Sequence, residues 1–427
     1  MKILIVSYSG LGFWFSLRLS AEGHSVDIYY CGKNGEPCLN VLEGIIAPVL
    51  MSKPDFSKYD LILFDLTGKP KLAEEASLAN GGRVIGDGDF NSEIEDDRLV
   101  GIEIMEECGI NVPAYEAFND LSEAKRFVRK TNKRYVFKPF GGQDQDTAST
   151  YVSEGAEDLL HYLDKLGTTS KGVEFILQEV VEGTEVSTEG WFNGEDFFLV
   201  NGTLEEKKFM NENHGPNTGC AGNLVWVYDE MNPPLIFREG LGLMKDFLKE
   251  YKYKGMIDLN TIVSDREIYG LEWTPRFGYD AAATLFNLIS SDLGSFLYKI
   301  AAGEQPTYEI DNVFAAGVRL SIPPYPSEIR GKHPENIPIN NIDSDDIVDN
   351  LYLYDACLNR KEDELVTAGV SGLVGVVIDS AKDIETVFSK VRARIKKIKI
   401  PNMQYRTDIE YRTTKRYLTL REQGWLR

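Results

Sequence analysis

The chain has 427 residues, 43% of them hydrophobic and 26% charged, with 46 Lys+Arg against 67 Asp+Glu and a formal net charge of -21. That length predicts two to three domains. The charge repels nucleic acid and anionic membranes at long range, so an anionic cofactor must be met by local cations or by Mg²⁺. No uninterrupted apolar stretch reaches about 18 residues, which argues against a transmembrane helix. The start, Met1-Lys-Ile-Leu-Ile-Val6, reads as a buried strand and not a signal peptide, because it breaks at Ser7-Tyr-Ser-Gly10. Cys31, Cys38, Cys108, Cys220 and Cys357 are scattered without a CxxC pair, and the four histidines are isolated. These features predict reduced thiols, a cytoplasmic location and no zinc site.

In residues 1–95, Ile3 to Val6, Val26 to Tyr30, Leu61 to Phe64 and Arg83 to Ile85 read as strands, and Gly12 to Glu22 as a helix ending at Gly23. Strands alternating with helices predict a parallel α/β sheet. Gly10-Leu-Gly12 has two glycines of a dinucleotide fingerprint, but Phe15 occupies the third position. The turn is therefore read as a strand-to-helix turn that receives a small anionic or polar substrate. Glu93 to Glu107 reads as a helix closing at Gly109. Asp120-Leu-Ser-Glu123 resembles a capping box opening the next helix. A strand at Tyr135 to Lys138, the loop Pro139 to Ser149, a helix around Leu159 to Leu163 and a strand at Phe175 to Val181 make an α+β unit of a size suited to a lid.

From Val186 the pattern becomes antiparallel. Asn193-Gly194 between apolar runs predicts a hairpin, and Gly255 to Val263 with Ile268 to Thr274 predicts a second. Phe237 to Tyr251 and Asp292 to Ala302 read as helices. After residue 306, Phe314 to Ile322 and Leu373 to Ile378 read as strands and Asp383 to Ile398 as a helix. Its basic face at Lys390, Arg392, Arg394, Lys396 and Lys397 reads as a solvated surface.

The run His214-Gly-Pro-Asn-Thr-Gly219 fixes a tight polar loop. Lys207 and Lys208 precede it, and Leu271-Glu-Trp-Thr-Pro-Arg-Phe-Gly278 follows. Such an order suits activation of a carboxylate by ATP. Two anions must meet in the first step, so cations and Mg²⁺ have to neutralise them, and Mg²⁺ takes oxygen ligands. Lys138, at a strand end before Gly141-Gly142, can reach phosphates. The backbone of Gln178 to Val181 can pair with an adenine edge, and Glu185 with ribose hydroxyls. Glu272 and Thr274 alternate onto one strand face, with Asp258 and Asn260 on the partner strand, as an oxygen set for the metal.

In order and spacing these motifs resemble the ATP-grasp superfamily, and within it the phosphoribosylamine–glycine ligase family (glycinamide ribonucleotide synthetase), from about Asp97 to the C-terminus. Phe137-Lys-Pro139 is similar to the family's strand with the phosphate-binding lysine. QEVVEGTEVS, from Gln178 to Ser187, is similar to its EExxxGxExS run, and Glu205-Glu-Lys-Lys208 to its DHKR. Gly215 to Gly219 matches its GPNTGG loop but for Cys220, Glu272 to Gly278 resembles its EFNxRFG strand, and Tyr405 to Ile409 its CRxDIG run.

The resemblance implies an ATP-grasp fold of mixed α/β and α+β type: a Rossmann-like pre-ATP-grasp domain over 1–95, a core over 96–305 with a lid at about 113–182, and a C-terminal domain over 306–427. It implies ATP at Arg98, Lys138, Gln178, Val181, Glu185 and Lys207. Mg²⁺ (or Mn²⁺) falls at Glu272, Asp258, Asn260 and Thr274. Arg276 and Lys207 carry catalytic roles, Arg276 on developing charge. Substrate contacts fall at Asn217, Thr218, Gly219, Ser9 and Gly10. The implied activity is an ATP-dependent carbon–nitrogen ligase joining a small, glycine-like amino acid to an amine, as a monomer or homodimer.

This chain also departs from the family. The first turn, Tyr8 to Phe13, lacks the family's basic residues. The lid loop Gly141 to Asp146 is acidic, Thr274 replaces a metal-binding asparagine, and Gly278-Tyr-Asp-Ala281 replaces GDPE. The amine acceptor is therefore expected to differ, and to be less anionic than phosphoribosylamine. Two alternatives stand beside this reading: a non-catalytic ATP-grasp-like nucleotide-binding protein, and a ligase acting on a peptide or nucleic acid.

Overall fold

The computed structural model describes residues 1–33, 37–140, 150–169, 174–327, 333–359 and 364–427. The acidic loop Gly141 to Asp146 lies outside them. Among the described residues no helix is long and apolar enough to cross a membrane.

The apolar runs of the N-terminal region pair as a parallel sheet in the order Ser25–Tyr30, Lys2–Ser7, Leu61–Phe64, Val84–Ile85. The helix after the first strand spans only Phe15–Ala21, because the chain first makes turns over Gly10 to Trp14. A Cβ on Gly12 would stand 2.4 Å from Asp65 Cβ, so glycine is required for this close approach. Phe13, Trp14 and Phe15 are all buried. Trp14 stacks on Phe15 and meets Tyr352, while Phe15 meets Phe277 and Phe286. Trp14 and Phe15 thus face other parts of the fold, and Phe277 directly follows Arg276.

The predicted helix from Glu93 is two helices, Asp89–Asp96 and Arg98–Glu107. Asp97 interrupts it by capping the second with bonds from the amides of Leu99 and Val100. Strands Tyr115–Phe118, Glu174–Glu179, Tyr135–Phe140 and Tyr151–Val152 form a separate antiparallel sheet. Helices Leu121–Thr131 and Ala156–Thr169 belong to the same unit. Asp120 caps the first of these as its sequence suggests.

The largest sheet has eight strands. Its order is Ile268–Thr274, Lys254–Val263, Thr184–Asn193, Phe197–Met210, His214–Val227, Phe314–Ser321, Leu373–Ala381, Leu351–Leu353, antiparallel throughout. Three strands from beyond residue 306 therefore extend the sheet built by the preceding region. The Asn193-Gly194 hairpin forms, with Asn193 Oδ1 accepting from the amides of Glu195 and Asp196. The helix predicted over Phe237 to Tyr251 is broken into Leu235–Arg238, a 3₁₀ turn at Leu241–Met244, and Lys245–Glu250. Gly240 and Gly242 lie at the break, where their poor helix preference outweighs the amphipathic pattern.

The GPNTG run is not a tight turn. It opens the strand His214–Val227, with Asn217 in register with Lys208 and bulges on either side of that pairing. Gly215 and Gly219 take φ of 77° and 75°, the left-handed region open to glycine.

Candidate functional site

Four adjacent strands of the large sheet put their polar residues on one face. Ser187 lies opposite Asn260 and Thr203, and Glu189 opposite Asp258 and Asn201. On the edge strand, Glu272 lies opposite Asn260 and Thr274 opposite Asp258. Since side chains alternate along a strand, Glu185, Ser187 and Glu189 share this face with Glu205 and Lys207. A cleft of about 200 Å³ opens over it, with Arg98 on one side and Arg276, Asn217 and Gly219 on the others.

At one end of the cleft the charges interlock. Lys207 Nζ lies 2.6 Å from Glu185 Oε1 and 4.0 Å from Glu272 Oε1. Asn260 Nδ2 donates to Glu185 Oε1 at 3.0 Å and to Glu272 Oε1 at 3.4 Å. Burial alone would raise the Glu185 carboxyl, but Lys207 outweighs it and holds the group down to about 2. Glu272 is likewise lowered, its burial offset by Lys207, Lys138 and Arg98. Burial pushes the Lys138 ammonium down to about 8, against the pull of Glu272. Burial lowers Arg98 as well, and its Nε donates to Pro139 O at 3.3 Å.

The other end is acidic. Burial raises Glu189 and Asp258, and each lies near other carboxylates. Glu205 is pushed up to about 7, again chiefly by burial. Arg276 Nη2 sits 2.6 Å from Glu95 Oε1 and its Nη1 donates to Phe277 O at 3.0 Å, which fixes the guanidinium at the cleft wall.

The structure thus gathers Arg98, Lys138, Glu185, Lys207, Asn260, Glu272 and Arg276 around one cleft. Asp258, Thr274, Asn217 and Gly219 line it too. Thr218 supports it from behind. Its hydroxyl donates to Lys207 O at 3.1 Å, and its carbonyl accepts from Arg319 Nη1 at 2.7 Å. Gln178 is buried in the smaller antiparallel sheet, with Nε2 3.4 Å from Pro113 O, and half-buried Val181 follows that strand. Ser9 and Gly10 do not line the cleft. They serve the first turn, Ser9 Oγ accepting from Leu11 N and Gly10 N donating to Ser7 Oγ.

Several supporting residues were not singled out in the sequence. Glu189 and Glu205 had an alternating polar pattern as their signal. Arg319, Arg412 and Arg416, brought in from far along the chain, had none. Arg319 forms a fork with Asp280 at 2.8 and 3.0 Å. Glu206 is buried against Arg406, Arg412 and Arg416, the latter two at 2.8 and 2.7 Å. Arg416 Nη2 also donates to Glu205 O at 2.7 Å, and Arg406 Nη1 to Lys208 O at 2.9 Å. These guanidiniums hold the strand that presents Lys207.

The model of the phosphoribosylglycinamide synthetase ATP-grasp (A) domain matches residues 101–281. The crystal structure of phosphoribosylamine–glycine ligase from Thermotoga maritima superposes with a TM-score of 0.71 at 19% identity, over 96% of this chain and 100% of that one. The chain has the ATP-grasp fold. A biotin carboxylase from Campylobacter jejuni shares the ATP-grasp fold with a TM-score of 0.65 at 14% identity, over 99% of this chain and 95% of its own. Curated relatives are similar in sequence. Phosphoribosylamine–glycine ligase of Halalkalibacterium halodurans is 26% identical over 342 residues, 77% of this chain and 76% of that protein. The same enzyme of Streptococcus pneumoniae strain R6 is 23% identical over 435 residues, 96% and 99% of the two chains. In this ATP-grasp chain the matched segment, from Gly101 to Ala281, contains Lys138, Glu185, Lys207, Asn260 and Glu272 of the interlocked end of the cleft.

Proposed function

We propose that this ATP-grasp protein is an ATP- and Mg²⁺-dependent carboxylate–amine ligase that forms an amide by way of an acyl phosphate. A substrate carboxylate oxygen attacks the γ-phosphorus and ADP leaves; the amine then attacks the acyl carbon and phosphate leaves. The observation that carries this reading is the interlocked group of Lys207, Glu185, Asn260 and Glu272, with buried Lys138 and Arg98 beside it. The relatives' names support it.

In this reading Lys138, Lys207 and Arg98 bind the phosphates, Glu185 binds ribose, and the backbone around Gln178 to Val181 meets the adenine. Glu272 and Asn260, an ionised carboxylate and an amide oxygen on facing strands, fit a hard divalent cation, with Thr274 the next oxygen along. Mg²⁺ or Mn²⁺ there would offset phosphate charge. Arg276 stabilises charge that develops during transfer. Asn217 and Gly219 contact the acid, a small amino acid of the glycine type, and Thr218 supports them from behind. The protein works in the cytoplasm, as a monomer or homodimer.

An assay coupled to ADP release, run across amino acids and amines, tests the reading. Turnover with at least one pair is expected. Absence of nucleotide binding together with no turnover for any pair rejects it. Nucleotide binding without ADP release under all conditions would favour a non-catalytic binding protein, which Thr274 in the metal set also favours.

A further inference from the structure

Glu189 and Asp258 lie directly opposite one another on antiparallel strands and both line the cleft. They are 1% and 9% exposed. Glu189 Oε2 accepts from Asn201 Nδ2 at 3.0 Å, but the buried Asp258 Oδ1 has no hydrogen-bond partner. The cations that line the cleft have other partners: Lys207 has Glu185 and Glu272, Arg276 has Glu95, and Arg98 donates to Pro139 O. An unsatisfied buried carboxyl oxygen beside a second carboxyl is costly, and a bound cation would let the pair ionise against the burial that opposes it.

A divalent ion is one candidate occupant. It needs several oxygens converging at about 2.0–2.6 Å. Among the described residues the three acidic, histidine or cysteine ligand atoms that lie within 4.8 Å of one another are those of Glu22, His24 and Asp292, outside this cleft. Among those same residues no third carboxylate closes on Glu189 and Asp258 at that range. An ammonium or guanidinium is larger and accepts a looser ring of oxygens at about 2.8 Å.

We propose that Glu189 and Asp258 form a subsite for a non-reacting ammonium or guanidinium group of the substrate. The assignment rests on the ligase reading and deepens it: the enzyme takes a cationic small molecule, and Asp258 leaves the metal set. An attacking amine must be neutral, so the bound cation is a different nitrogen. It is carried either beside the carboxyl of the acid or at the far end of a diamine-type acceptor.

Isothermal titration separates these sources. Glycine is compared with acetate, and 1,4-diaminobutane with 1,4-butanediol, with and without Mg²⁺ and a non-hydrolysable ATP analogue. At least one ammonium-bearing probe should bind tenfold or more tighter than its partner that lacks the ammonium. Asp258→Asn and Glu189→Gln should each remove most of that preference while leaving the affinity for the ATP analogue within twofold. The proposal is overturned by equal binding within both pairs, by a preference that survives both variants, or by loss of a Mn²⁺ ion per chain in Asp258→Asn. Failure of the ATP analogue to bind counts against the ligase reading alone, because the arms without nucleotide still read the subsite. A crystal soaked with the preferred probe needs no variant. A probe nitrogen about 3 Å from Asp258 Oδ1 is expected, and its absence there also overturns the assignment.

Discussion

Lys207 Nζ and Glu185 Oε1 meet at 2.6 Å across two neighbouring strands of the large sheet. Before nucleotide arrives, each group proposed to hold ATP is thus held by the other. The pair keeps Lys207 charged and Glu185 ionised inside the cleft, against the burial that opposes both. The site is pre-organised, with little reorganisation left for the reaction.

That relationship sets an acid dependence. The Glu185 carboxyl is lowered to about 2 in the folded chain, from about 4.3 when unfolded. A depressed folded value contributes stability above the unfolded value, and this is lost as pH falls through the folded one. Thermal melts of the native chain and Glu185→Gln should therefore differ at pH 6, and converge as pH drops below about 4.5. A difference that does not shrink on acidification would show that the carboxylate's charge is not what stabilises.

Lys138 sets an alkaline dependence. Its ammonium is lowered to about 8 by burial, so rising pH through 8 removes this cation from the cleft. Bound phosphate favours the charged form, so nucleotide affinity should be full below pH 8 and should weaken above it. Titration of ATP at pH 7 and pH 9 measures this. Lys138→Arg, which stays charged, should flatten the profile.

Glu272→Gln should lower turnover by roughly 100-fold or more while the melting temperature changes little. The swap keeps shape but removes charge where phosphates are to be held, an electrostatic loss of about 3 kcal/mol. Near-normal turnover at limiting Mg²⁺ would show that Glu272 does not bind the metal.

Glu206→Ala tests the support behind the site. Its buried carboxylate faces Arg406, Arg412 and Arg416. Removing it takes the carboxylate partner from half-buried Arg412 and Arg416, while buried Arg406 keeps its fork with Asp408 at 2.9 and 2.8 Å, so a loss of about 1–3 kcal/mol is expected. Denaturant unfolding should show a drop of that order, together with weaker nucleotide binding because the Lys207 strand loses its anchors.

The local features were legible in the sequence. The N-terminal parallel strands, the Asp120 cap and both hairpins depend on neighbours a few residues away, and periodicity reports them. Glu272 was legible because strand alternation puts it on one face with Thr274, and Lys207 and Glu185 because they stand in runs that resemble family motifs. The GPNTG run misled because glycine and proline suit bulges as well as turns, and pairing with Lys208 decides between them. Asp97 and Gly240 broke helices whose apolar pattern runs on unbroken. Arg319, Arg412 and Arg416 carried no signal, since each meets its partner through tertiary folding alone.

The helix Ile409–Glu422 brings Arg412 and Arg416 to Glu206, some 206 and 210 positions earlier in the chain. During synthesis the large sheet's central strands leave the ribosome long before those guanidiniums exist. Glu206 must then wait, either hydrated or protonated, and the strand bearing Lys207 cannot settle into place. The proposed nucleotide site is therefore completed by a helix translated long after the strand it anchors, and a nascent chain stalled before Ile409 is expected to present the ATP-grasp sequence without a working grip on ATP.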